Sequence, residues 1–260
     1  MTLSKTELED LGRAKTLLEN PGIAMRLSSL AGAPVEKGLA MLPARLQKGV
    51  HSATEKALMT ALSVAVRSLG DATGGKSSDR MHKMAVATSG AIGGAFGLAA
   101  LGVELPISTG LILRSIADIA SSEGENPKYL DTKLACLTVF ALGSPKDHSD
   151  DAAESGYFAA RAALAGAVSE AAKHLAQKGL AKGGGPALVR LIGLITARFG
   201  IVVSEKAAAQ LVPVIGAAGG ALINTIFIGH YQDMARGHFI VRRLEKIHGA
   251  EPVRVAYDKL

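Results

Sequence analysis

The chain has 260 residues, 29 Lys and Arg against 23 Asp and Glu, and a formal charge of +6 at pH 7. Its 48% hydrophobic content excludes a disordered chain, and its single cysteine, Cys136, excludes a disulfide scaffold and a multi-cysteine metal site. Only 4% of residues are aromatic and none is Trp, whereas 44 Ala stand beside 30 Gly, so much of the core must be built from very small side chains.

Alanine is the best helix former, and the β-branched residues do not alternate, so helix is the default reading. Ser4-Lys5-Thr6-Glu7 is a capping box that opens a helix ending near Asn20-Pro21-Gly22. The N-terminus has no apolar core of a signal peptide. From Pro34 to Leu69, the residues Leu39, Leu42, Leu46, Val50, Ala53 and Ala57 form one helical face, with Pro43 separating a short helix from a longer one.

A loop over Gly70–Asp79 precedes a helix from about Asp79 to Val103, and Pro106 is expected to start the next, which runs to Ser121. After an acidic stretch comes a short apolar helix over Leu134–Leu142, then a long one over Asp150–Lys178. Gly183-Gly184-Gly185-Pro186 is a stop and a restart, with proline at the first helical position. Helices then follow over Pro186–Leu211 and Pro213–His248, with a weak strand alternative at Ile201-Val202-Val203. The expected fold is all-α: one bundle of about eight or nine helices around two Gly/Ala-rich central helices. Residues 1–33 read as an N-terminal helical arm and 34–260 as the main helical domain.

Two stretches carry no charge, the 20 residues Met84–Val103 and the 23 residues Ala207–Gly229. Both reach the length of a membrane span. Glycine contributes little transfer energy, however, and neither stretch has Tyr or Trp anchors at its ends. Gly90/Gly94, Gly93/Gly97 and Gly216/Gly220 instead put small residues four apart, as closely crossing helices require. A membrane hairpin would have to bury Glu104 and Arg114, which is costly unless they are paired.

Gly70-Asp-Ala-Thr-Gly-Gly-Lys76-Ser77 matches the phosphate-loop pattern, but it follows a helical face rather than a buried strand, so nucleotide binding is not favoured. No dinucleotide fingerprint, HExxH or GxSxG is present, and no catalytic residue, cofactor site or metal site is assigned. The polar residues inside apolar helices are the candidates. Glu104, Arg114 and Asp118 belong to one helix, where Arg114 and Asp118 can pair. Asn224 is alone in an apolar run, and His230, Asp233 and His238 share a face further on. Buried polar groups need partners, so these seven are expected to meet across the bundle, as a structural network or as a ligand cluster.

The net charge of Ser121–Glu154 is −4, which leaves +10 for everything else. Without a nucleic-acid motif or stacking aromatics, that excess suits an anionic membrane surface better than nucleic acid, and Leu39–Leu69 offers an amphipathic helix.

Several ordered blocks resemble the EcsC family over about residues 34–257. They are Glu104-Leu-Pro-Ile-Ser-Thr-Gly through Asp118-Ile-Ala120, Leu134-Ala-Cys-Leu-Thr-Val-Phe-Ala-Leu-Gly143, and Pro213 to Asn224 leading to His238-Phe239 and Arg243-Leu244-Glu245. The resemblance implies a bacterial, cytoplasm-facing helical protein associated with a transport operon, and it supplies no catalytic residues. The resulting expectation is a non-enzymatic accessory protein, cytoplasmic or peripheral on the inner face of the membrane. Its partner would be an anionic lipid surface or a membrane transport complex. The alternative is a hydrolase or small-ligand binder that uses the buried polar cluster.

Overall fold

Ser4 and Glu7 cap the first helix reciprocally: the Ser4 amide donates to Glu7 Oε2 at 2.7 Å and the Glu7 amide to Ser4 Oγ at 3.4 Å. The helix that follows, α1 (Lys5–Glu19), buries Leu11, Ala14 and Leu18. The computed structural model describes residues 3–19, 26–28, 44–68, 101–143, 156–180, 185–210 and 216–260. The proline-split region before Ala44, the Gly70–Asp79 loop, most of the stretch Met84–Val103 and the restart at Pro213 lie outside the described residues.

Among the described residues the chain continues with α2 (Ala44–Ser68), α3 (Leu101–Ser122), α4 (Leu130–Thr138) with a 3₁₀ turn over Val139–Ala141, α5 (Gly156–Lys178), α6 (Pro186–Gln210), α7 (Gly216–His248) and α8 (Ala250–Lys259). Among the described residues there is no strand, and the chain is an all-α bundle. Ile201, Val202 and Val203 lie inside α6, so the weak strand alternative is corrected. An apolar helix face with Val202 and Val203 buried outweighs their β-branching.

Pro106 does not start a helix either; it stands in the second turn of α3. Pro106 has no amide to offer the carbonyl of Gly102 one turn back, and Gly102 is an exposed residue. α8 was not anticipated. Gly249, at φ 87°, turns the chain out of α7, and Val253 and Tyr257 of α8 are buried.

α2 packs on α3 and α6 through a stripe of Ala57, Leu58, Ala61, Leu62 and Ala65. α7 is the axis of the other half, in contact with α1, α3, α6 and α8. Gly237 allows α1 to approach closely, because a Cβ there would lie 2.6 Å from Leu18 Cγ and 3.0 Å from the Ala14 carbonyl oxygen. Three charged contacts then hold α1 in place: Arg243 to Asp10 at 2.7 Å, His248 to Glu7 at 2.8 Å, and Lys15 to the Tyr257 carbonyl at 3.0 Å.

The few aromatic residues are concentrated. Phe140, Phe199, Phe227 and Tyr231 form one cluster with neighbouring ring centroids 5.0–6.0 Å apart, and Tyr157, Phe158 and Tyr257 form another.

Candidate functional site

The spacing Ile195, Phe199, Val202, Lys206 keeps one face of α6 turned inward, so its last member is a lysine carried into the core. Lys206 is 0% exposed. Its Nζ donates to Glu104 Oε1 at 2.9 Å and to Oε2 at 3.1 Å, and lies 4.5 Å from the centre of the Phe227 ring. Asn224 Nδ2 donates to the same Glu104 Oε1 at 3.0 Å. One carboxylate therefore ties the start of α3 to the end of α6 and the early part of α7. Burial lowers the pKa of Lys206, and the Glu104 charge works against that shift. Further along α3 and α7, Gln232 Nε2 donates to Ser115 Oγ at 2.8 Å.

The other sequence candidates do not join this centre. Arg114 is exposed, and Asp118, one turn on, is half-buried. Asp233 pairs with Arg26 at 3.0 Å. His230 is buried beneath Gly143 and held neutral, its pKa pushed down to about 3 by burial and then by the Arg26 charge.

His238 belongs to a third place. Its Nδ1 is 3.0 Å from Tyr157 Oη, which also accepts from Arg161, and Arg161 bonds both oxygens of Glu245 at 2.8 Å. Above this chain a cleft of about 650 Å³ opens between α4, α5, α7 and α8. Glu104, Lys206 and Asn224 do not line it. Among the described residues no three His, Cys, Asp or Glu side chains gather as a metal site. Cys136 is buried, which pushes its thiol pKa up and leaves it unreactive.

α6 presents a second feature on its outer side. Val189 is 51% exposed, Leu194 38% and Ile201 43%, with Gly193 and Ala197 exposed between them. These residues share one broad helix face, with Arg190 inside it near its start and Arg198 at its edge. By length and composition α6 could cross a membrane, although 44% of its most apolar window is buried inside the bundle.

The EcsC protein family matches residues 5–244. The chain belongs to the EcsC family. The match takes in α1 and every residue of the Glu104–Lys206–Asn224 centre, and it stops short of α8. No curated protein and no solved structure matches the chain.

Sequence reasoning missed Lys206, which immediately precedes the charge-free stretch Ala207–Gly229. Its register with Phe199 and Val202 was the available signal. Tyr157, Arg161 and Glu245 gave no such signal, because their meeting depends on how α5 and α7 pack.

Proposed function

We propose that this EcsC protein is a non-enzymatic accessory protein that attaches to an anionic membrane surface on the cytoplasmic side of a bacterial cell. The observation that carries this reading is the outer face of α6. A folded helix already packed in a bundle leaves Val189, Leu194 and Ile201 in water, about 18 Å from end to end at ~1.5 Å per residue. A helix largely apolar on its outer face, with Arg190 among the apolar residues, and partly buried on its inner one suits a position in the interface plane, parallel to the membrane.

Charge favours the same surface. Lys173 and Lys178 are exposed near the end of α5, and Arg190 at the start of α6 reaches back to Glu170 at 3.1 Å, so this end of the face carries several cations. The buried Glu104–Lys206–Asn224 centre is enclosed and serves to fix helix register, as buried polar groups do in other helical assemblies. Sedimentation with phosphatidylglycerol-containing vesicles at low and high salt tests the reading. Binding that weakens with salt and is lost in a Leu194→Glu, Ile201→Glu double variant is expected; no binding at either salt overturns it.

A further inference from the structure

The cleft between α4, α5, α7 and α8 is distinct from the outer face of α6, and its two ends differ chemically. Charged side chains of its lining gather at the first turns of α5, where Glu245 bonds Arg161 at 2.8 Å and the Arg254 guanidinium lies 5.7 Å from the centre of the Phe158 ring. Arg161 lies there on α5 itself, Arg242 and Glu245 reach in from α7, Glu251 and Arg254 from α8, and Asp131 from α4. Beyond Arg161 the α5 wall is uncharged, ending in Ala162, Ala165, Val168, Ser169 and Ala172. From Phe158 to Ala172 this wall is about 20 Å long at ~1.5 Å per residue. Alanine at 162, 165 and 172 leaves the space open, where larger side chains would close the groove against α4.

At the charged end, Arg242 is held from behind. Its Nε donates to Glu125 Oε1 at 3.1 Å, and that carboxylate is 3% exposed and also bonded by Thr132 and Lys246. The forward nitrogen, Nη2, donates at 2.6 Å to Asp131, which is 73% exposed. Exposed ion pairs of this kind contribute little to stability, so Asp131 is readily replaced by another anion, whereas Glu125 is not. A guanidinium oriented by a buried carboxylate is a ready-made partner for a carboxylate or phosphate head.

We propose that this cleft binds a single-chain amphiphile with an anionic head, the head on Arg242 in place of the Asp131 carboxylate and the chain along the alanine face of α5. The size of the cleft lies within the range of small-molecule sites, and a lining that is mostly apolar with charged groups gathered at one end is what such a ligand needs. This site does not depend on the attachment of α6 to a membrane.

Dodecyl phosphate, titrated calorimetrically into the full chain below its micelle concentration, is the probe, with inorganic phosphate as the comparison. One equivalent of dodecyl phosphate is expected to bind, and inorganic phosphate at least about tenfold more weakly. Ala165→Phe fills the groove from an exposed position and should weaken binding at least about tenfold; Asp131→Asn removes the competing carboxylate and should tighten it about threefold or more. The Leu194→Glu, Ile201→Glu variant should bind the soluble amphiphile as the parent does, which separates the two sites. Absence of binding, equal binding of inorganic phosphate, or parental affinity in both Ala165→Phe and Asp131→Asn overturns the proposal.

Discussion

Lys206 and Glu104 are 102 positions apart in the sequence, yet their side chains meet at 2.9 Å with the lysine wholly out of water. Removing two charges from water is costly, and the interaction returns that cost only while both are present. Lys206→Met should therefore destabilise the protein by about 3–5 kcal/mol, because it strands a buried carboxylate. Adding Glu104→Leu to that variant should recover most of the loss. Denaturant unfolding of the two single variants and the double variant measures the coupling.

His230 and His238 make the fold sensitive to acid. Burial lowers both pKa values, His230 to about 3 and His238 well below its ordinary value, with Arg26 adding to the first and Arg161 and Arg242 to the second. Below pH ~6.5 the unfolded chain takes up protons that the folded chain refuses, so stability is present above that pH and falls as pH drops toward 3. His230 contributes a slope of up to about 1.4 kcal/mol per pH unit in that window, and His238 acts in the same direction. Unfolding midpoints at pH 7.5 and 5.5 should show the fall, and His230→Gln should make it smaller.

Gly237 sets the distance between α1 and α7. Gly237→Ala gains helix propensity, about 1 kcal/mol, but drives a methyl into Leu18 and the Ala14 carbonyl. The backbone contact cannot yield without moving α1, so a net loss of about 1–2 kcal/mol is expected. Protease cleavage within residues 5–19 should become faster than in the parent, whereas Gly110→Ala, where a Cβ meets nothing within 4 Å, should leave it unchanged.

Most of the helices were legible because local rules determine them. The capping box at Ser4–Glu7 starts α1, Pro186 starts α6, and the apolar stripe through Val50, Ala53 and Ala57 specifies α2. Pro106 misled because a proline one turn inside a helix is tolerated where the residue one turn back, here Gly102, is exposed. α8 escaped because it is short and amphipathic after a glycine turn, so its stability comes from Tyr257 packing on Tyr157 and Phe158 rather than from its own sequence.

The polar candidates were only partly legible. Glu104 and Asn224 stand out as polar residues within apolar helices, and one hydrogen bond joins them, but nothing local separates them from Arg114, which is exposed. Which faces meet is decided by helix packing, and a single helix carries no information about its neighbour. Lys206 needed the register of α6 to be taken through to its last turn.

The absence of tryptophan permits a direct test of the membrane reading. Ile201→Trp places a lone indole on the outer face of α6, and Leu8→Trp places one on the exposed face of α1 as the control. Fluorescence of both variants is measured with phosphatidylglycerol vesicles carrying brominated acyl chains. Attachment through α6 predicts a blue shift and quenching at position 201 and neither at position 8. No change at position 201, or an equal change at both, would contradict it.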